Sequence, residues 1–390
     1  MRATRYLIVG GGLTADAACT GIREVDPGGR ITVVSDEAHP PYARPPLSKA
    51  LWTGKEESTI WRATEEQGAE LRLGRRIDAL DLAARRATDD QGETYSYERL
   101  LLATGGRPRR LPFGGDEVIY YRTLDDYRRL RALASAGARF VVIGGGFIGS
   151  EIAAALTSNG HPVTMVFPEA GIGARIFPAE LSAFVTDYYR AREVEVLSGT
   201  SVTGIERNGD TVRVETGDGR VLESNAVVAG LGISPRTELA EAAGLAVSDG
   251  IVVDDRGRVD GRDDVFAAGD VARFPVAALG GTMRVEHEDH AKTHGRYVGA
   301  NMAGADEAYD HLPFFYSDLF DLGYEAVGEL DSRLRTTADW TDVGHAGTVY
   351  YVDDGGTPRG VLLWNLFGRV EAARDLIRGA VPMSLPELVR

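Results

Sequence analysis

Cysteine is almost missing from this chain, and so is any surplus of positive charge. Cys19 is the single cysteine in 390 residues, so no disulfide can form within the chain and no thiol pair can carry electrons. Within a helical pattern it reads as a small packed residue, and a disulfide-free chain fits a reducing cytosol. Lysine and arginine number 43 against 58 acids, a formal net charge of −15. That balance argues against nucleic acid or an anionic membrane surface as the main partner. Long apolar runs are also lacking, and none approaches the length of a membrane span. The first strand-like run starts within five residues, with no targeting segment ahead of it. The expectation is a cytoplasmic protein with no membrane span and no nucleic-acid partner. Its 43% apolar content suffices for the cores of two or three domains.

What is present begins at Tyr6. The run Tyr6–Val9 stops at Gly10-Gly11-Gly12, and a helical pattern over Leu13–Val25 follows. Strand, tight turn and helix present backbone N–H groups at a helix N-terminus to a pyrophosphate. Gly10 permits the turn, Gly12 lets the backbone approach the phosphates, and Ala15 is small enough for helix and strand to pack closely. A β-branched strand, Ile31–Val34, then leads to Asp36, a carboxylate placed to accept from an adenosine ribose. A βαβ unit without a ligand would not require all these parts in register.

The pattern recurs. Arg139–Ile143 reads as a strand, followed by Gly144, Gly146 and Gly149 in G-x-G-x-x-G spacing, with Phe147 and Ile148 inside the motif. A helix over Phe147–Asn159 and a strand over Val163–Phe167 lead to Glu169. It lies 23 positions after Gly146, as Asp36 lies 24 after Gly12. Two copies predict two bound dinucleotides, and the economical pair is FAD with a nicotinamide nucleotide, between which hydride passes directly. Glu169 would repel a 2′-phosphate and accept from a free 2′-hydroxyl, favouring NADH (and NAD+) over NADPH. Arg175 nearby moderates that preference.

The remaining segments fill in around these units. The four prolines of His39–Lys49 predict a rigid, extended loop carrying Arg44 and Lys49, which are as readily solvated surface charges as functional ones. Small antiparallel strands over 77–99 precede a buried strand, Leu100–Thr104, whose Thr104-Gly105 end could let backbone pass close to a cofactor. Arg107–Pro112 reads as a linker, and Leu124–Ala134 as a helix opening a new domain. A β-rich meander between Ser198 and Ala229 ends in an apolar strand, Ala226–Ala229, followed by Gly230-Leu231-Gly232. A further strand starting at Val265 ends at Gly269 and Asp270. An acid there could bind a polyol, though by itself it reads as a turn with a solvated Asp.

Together these segments resemble the flavoprotein pyridine-nucleotide reductases of the glutathione-reductase fold, over essentially the whole chain. Within that family the chain looks most like apoptosis-inducing factor and the bacterial ferredoxin and rubredoxin reductases. It is carried by 41–49 (P-Y-A-R-P-P-L-S-K), 144–151, 266–270, 284–291 (R-V-E-H-E-D-H-A) and 323–328. The implied fold is α/β: two Rossmann-like dinucleotide-binding domains plus a small α+β C-terminal domain. The resemblance places an FAD domain at 1–113 and 246–302, an NAD domain at 114–245, and a domain closing over the flavin at 303–390. It implies Asp36 at the FAD ribose, Arg44 at the pyrophosphate and Asp270 at the ribityl chain. Lys49 would sit beside flavin N5, paired with Glu151, and Phe147 against the nicotinamide. The helix following Glu286 and His287 would aim its N-terminus at flavin N1 and O2. His287, His290 and His294 share one helix face, but their spacing is not H-E-x-x-H, so no metal is expected.

Two departures stand out. Tyr316 occupies the place of a tryptophan common in the family, and the segment 348–360 is compact where apoptosis-inducing factor carries a long insertion. The implied activity is hydride transfer from NADH to FAD, then electron transfer to a small iron–sulfur or rubredoxin-type protein, a quinone or oxygen. The alternative is a slow NADH oxidase whose reduction switches dimerisation and partner binding, with a homodimer left open. Disulfide and peroxide reduction need a cysteine beside the flavin, and the Arg44–Lys49 loop has none.

Overall fold

The computed structural model describes residues 1–379. These divide into two compact units, one built from Met1–Ala43, Glu57–Arg107 and Ser234–Phe315, the other from Arg44–Glu56, Pro108–Ile233 and the chain from Tyr316 onward.

In the first unit Arg2–Val9 lies between two parallel neighbours. Tyr6 stands opposite Ile31 on one side and opposite Arg99, in Thr94–Leu102, on the other. Ala69–Arg72 and Val265–Ala267 extend the parallel sheet, while Arg86–Asp89 and Ile77–Asp81 add antiparallel strands. Ile31–Val34 is buried at every position, as expected of a central parallel strand covered on both faces. The chain moves outward from Arg2–Val9 to Ile31–Val34 and returns on the other flank. That reversal opens a crevice at the carboxyl ends of these strands, where open α/β sheets bind ligands.

The helix Leu13–Val25 covers this sheet and packs against Glu288–Ala303 along a seam of small residues. A Cβ added at Gly21 would overlap the Arg296 carbonyl oxygen, and one at Gly299 would overlap that of Ala18. The core beneath gathers Tyr6, Ile8, Ala15, Ala18, Cys19, Ile22 and Val298. Cys19 is buried there, and burial pushes its thiol up to about 12, which makes it chemically quiet.

The second unit repeats the arrangement. Its five-stranded sheet runs Glu195–Ser198, Val163–Phe167, Phe140–Ile143, Ala226–Ala229, Val118–Tyr120 in spatial order, all parallel. The predicted meander is a three-stranded antiparallel sheet over Val202–Ser224, turning at Gly209 and Gly219. Toward the C-terminus a five-stranded antiparallel sheet runs in spatial order from Phe314–Leu319 to Arg335–Asp342, with the helix Val370–Gly379 after it. The α/β class with two Rossmann-like sheets is thereby borne out.

Several local expectations change. The proline loop is not extended throughout: Pro45–Ser48 and Ala50–Trp52 are 3-10 turns. Proline is well suited to the first position of such a turn, where its missing N–H costs nothing and its φ is already set. The strand predicted to reach Thr104 ends at Leu102. The predicted linker opens with a short strand, Gly106–Pro108, and the Arg109 N–H donates to the Gly232 carbonyl at 2.9 Å. The predicted helix at Leu124 runs to Ser135, started by a reciprocal Thr123–Asp126 capping box.

Candidate active site

The two glycine turns are built for close approach. Gly10 has φ +116° and Gly144 φ +113°, and a Cβ at Gly144 would stand 2.5 Å from the Gly230 carbonyl oxygen. The third motif positions differ in tightness. A Cβ at Gly149 would overlap the Gly144 carbonyl oxygen, whereas Ala15 is accommodated, fully buried. Between them, Gly12 and Gly146 are helix N-caps that offer no side-chain hydrogen bond, and their Cβ positions face open space. Helix starts of this kind leave first-turn N–H groups and the positive end of the dipole for an external anion. Both therefore fit a dinucleotide pyrophosphate.

Around the first turn the structure gathers several of the residues singled out above. Gly269 lies against the Thr14 side chain, in the first turn of the helix that Gly12 caps. Its N–H donates to His294 Nδ1 at 3.3 Å, and Asp270 lies in the same 3-10 turn, Gly269–Val271. Arg284 links Asp270 to Glu286, donating to the Asp270 carbonyl at 3.2 Å and to Glu286 Oε1 at 2.6 Å. His287 is the N-cap of Glu288–Ala303 and stacks on Phe315 at 4.3 Å. Burial pushes its imidazole down to about 4 against the opposing pull of Asp270 and Asp289. His290 and His294 point into an aromatic pocket with Phe274 and Tyr309. Asp36, at the tip of the second strand, is paired with Arg236 at 2.6 Å. The same arginine's backbone takes hydrogen bonds from Thr104 Oγ1 and gives one to the Gly105 carbonyl. Sequence reading missed Arg236 and the bridging role of Arg284. No spacing ties Asp36 to a residue 200 positions away.

In the second unit Glu169 is paired with Arg175 at 2.5 Å, so each second-strand acid has an arginine on it. Phe147 opens the helix Phe147–Ser158, with Ile148 behind it, and its ring lies 6.5 Å from that of Tyr324, which stacks on Trp364. Four residues along the same helix face, Glu151 is buried to 5% exposure and accepts three hydrogen bonds. Ser48 donates to Oε2 at 2.6 Å, Ser317 donates to Oε1 at 2.6 Å, and the Lys49 ammonium donates to Oε1. The Lys49 ammonium also lies 5.4 Å from the Tyr316 ring centroid, within cation–π range. Arg44, at the head of the proline turn, donates to the Arg122 carbonyl at 2.9 Å. The phenols of Tyr189 and Tyr324 are held well above the usual range, first by burial and then by the Glu151 charge. Ser48 and Ser317 went unnoticed in the sequence, although each adjoins a residue that was singled out.

Among the described residues, no group of three or more acids, histidines and cysteines is arranged to hold a metal ion. No helix among them is long and apolar enough to cross a membrane. Residues 4–295 match the family described as pyridine nucleotide-disulphide oxidoreductase. The chain belongs to that family. Residues 298–347 match the C-terminal domain of apoptosis-inducing factor, mitochondrion-associated. The mitochondrial apoptosis-inducing factor 1 of Dictyostelium discoideum is 33% identical, over 96% of this chain and 78% of its own. The ferredoxin–NAD(+) reductase component of the anthranilate 1,2-dioxygenase system of Burkholderia cepacia is 35% identical, over 98% and 96%. The solved covalent complex of putidaredoxin reductase with putidaredoxin matches with a TM-score of 0.90 at 31% identity, covering 99% of this chain and 95% of that one. The chain is an NADH-dependent flavoprotein oxidoreductase, with FAD and NAD(H) as its cofactors. The family's disulphide chemistry needs cysteines that this chain does not have, since Cys19 stands alone.

Proposed function

We propose that the chain takes hydride from NADH and delivers electrons singly to a small iron–sulfur or rubredoxin-type protein in the cytoplasm. Bound FAD supplies the chemistry that converts a two-electron donor into a one-electron source. The observation that carries the reading is the ion pair between Lys49, half-buried after the proline turn, and Glu151, buried on the helix that starts at Phe147. A charged pair largely screened from water beside a nicotinamide cradle suits proton and hydride chemistry better than mere nucleotide storage. Likeness along the full chain to a reductase joined to its redox protein supports the choice of acceptor class.

Gly10, Gly12, Ala15 and Asp36 are assigned to the adenosine and pyrophosphate end of FAD, with Arg44, Thr104 and Gly105. Gly269 and Asp270 take its ribityl chain, and Glu286, His287 and Tyr316 its ring end. Gly144, Gly146, Ile148, Gly149 and Gly232 hold the NADH backbone, Glu169 and Arg175 its adenosine ribose, and Phe147 its nicotinamide. Lys49 Nζ holds a proton, and Glu151 keeps that ammonium from being an unpaired buried charge. The corresponding domains are 1–113 with 246–302 for FAD, 114–245 for NADH, and 303–390 at the C-terminus, of which residues 380–390 lie outside the described residues.

Anaerobic stopped-flow reduction by NADH, followed by mixing with a ferredoxin, a rubredoxin or a quinone, tests the proposal. Rapid flavin bleaching and rapid onward transfer to one protein acceptor are expected. A second reading, a slow redox-switched dimer, draws on the C-terminal match to apoptosis-inducing factor. It would prevail if reduced protein persisted with every acceptor and its mass doubled on reduction.

A further inference from the structure

The geometry points to Ser48 and Ser317 as positioning residues of the reductase, acting through Glu151 on the Lys49 ammonium. This rests on the assignment of Lys49 to the reacting rings and specifies what aims it. A lysine ammonium is a point charge on a flexible four-carbon stem, with no planar fork to fix its direction. Its position is set by what it donates to, and here that is Glu151 Oε1. The carboxylate is in turn gripped at both oxygens, by the Ser48 hydroxyl on Oε2 and the Ser317 hydroxyl on Oε1, each at 2.6 Å. Short hydrogen bonds to both oxygens fix the plane of the carboxylate as well as its place.

The two serines are buried, Ser48 at 6% and Ser317 at 1% exposure. A buried hydroxyl needs a partner: Ser48 lies far closer to Glu151 than to the Pro45 carbonyl at 3.4 Å, and Ser317 bonds the Tyr324 phenol as well as Glu151. Their places in the chain matter as much. Ser48 ends the proline turn and immediately precedes Lys49. Ser317 immediately follows Tyr316, whose ring forms the other wall around the ammonium. Phe147 lies one turn before Glu151 on its helix. One carboxylate thus gathers three segments, and each carries a group assigned to the reaction. Serines that only filled a polar gap would not have to grip opposite oxygens of the lysine's own partner.

The chain has only three lysines, Lys49, Lys55 and Lys292, so the holoenzyme labelled with 13Cε-lysine gives three methylene signals. The Lys49 signal is identified by Lys49→Arg. In Ser317→Ala and Ser48→Ala the limiting rate of flavin reduction falls on the order of tenfold each while KM for NADH changes less than about twofold, as expected when a reacting group is misplaced by a fraction of an ångström. The Lys49 signal shifts in both variants. Ser317→Cys keeps the volume but donates weakly, so it follows alanine. If the alanine variants, or Ser317→Cys, keep the wild-type rate and Lys49 signal and lose only melting temperature, the serines are packing and the inference is wrong. Should Ser317→Ala fail to fold, Ser48→Ala decides between the same outcomes. If Lys49→Met reduces its flavin at the wild-type rate, the assignment of Lys49 itself falls. A slow Lys49→Met with unaffected serine variants sinks this inference alone.

Discussion

Replacing Glu151 by glutamine should expose how much of the second unit hangs on one charge. The side chains of Glu151 and Lys49 are 6% and 14% accessible, so the pair has little water to fall back on. Glutamine keeps the volume but turns an NH2 group toward donors that Glu151 now accepts from. Removing one partner of a buried ion pair costs ~3–5 kcal/mol, and the residual access of Lys49 to water places the loss near ~3 kcal/mol. Lys49→Met orphans the more buried charge but leaves it two serine hydroxyls, and should lose a similar ~3 kcal/mol. The double variant carries neither charge, so its loss should fall short of the sum by ~1 kcal/mol or more. Of the four tryptophans, Trp61 alone lies in the first unit. In a Trp61→Phe background, urea unfolding followed by tryptophan fluorescence therefore reports the second unit. Losses that simply add would mean the two groups do not stabilise each other, and the reasoning would be refuted.

Other consequences can be checked as directly. Gly299→Ala forces a methyl group into the Ala18 carbonyl across the helix seam, and should cost ~1–3 kcal/mol of first-unit stability with weakened FAD retention; calorimetry with and without added FAD reads both. Glu169→Ala releases Arg175 from its pair and should raise kcat/KM for NADPH relative to NADH on the order of tenfold, the equivalent of ~1.4 kcal/mol. An unchanged ratio would remove Glu169 from the ribose site. His294 is 1% exposed and burial pushes it down to about 3, while the unfolded chain protonates it near 6.5. Its contribution is therefore intact above that pH and is lost progressively as pH falls toward 3. His294→Asn should flatten the acid side of a melting-temperature profile by about one histidine's worth.

Much of this was legible because glycine leaves a mark that few other residues leave. Helix Leu13–Val25 and strands Ile31–Val34 and Val163–Phe167 were bounded correctly, since each abuts a turn that only glycine or a small polar cluster can make. The pairing of Lys49 with Glu151 came from resemblance rather than spacing, because contacts across 102 positions leave no periodicity to read. The serines on Glu151 and the arginine on Asp36 were invisible for the same reason. The proline turn was misread because proline suits both an extended loop and the first turn of a helix, and only packing decides between them.

The bare helix starts at Gly12 and Gly146 have a consequence for the life of the protein. A good side-chain cap stabilises a helix by ~0.5–2 kcal/mol, as Thr123 supplies for Leu124–Ser135, and neither glycine start has one. Forgoing caps at two helices leaves the empty polypeptide short of that stabilisation, which returns by mass action as the dinucleotides bind. Flavin supply would then govern how long each copy survives proteolysis, and the enzyme's abundance would follow the cofactor that it needs in order to work.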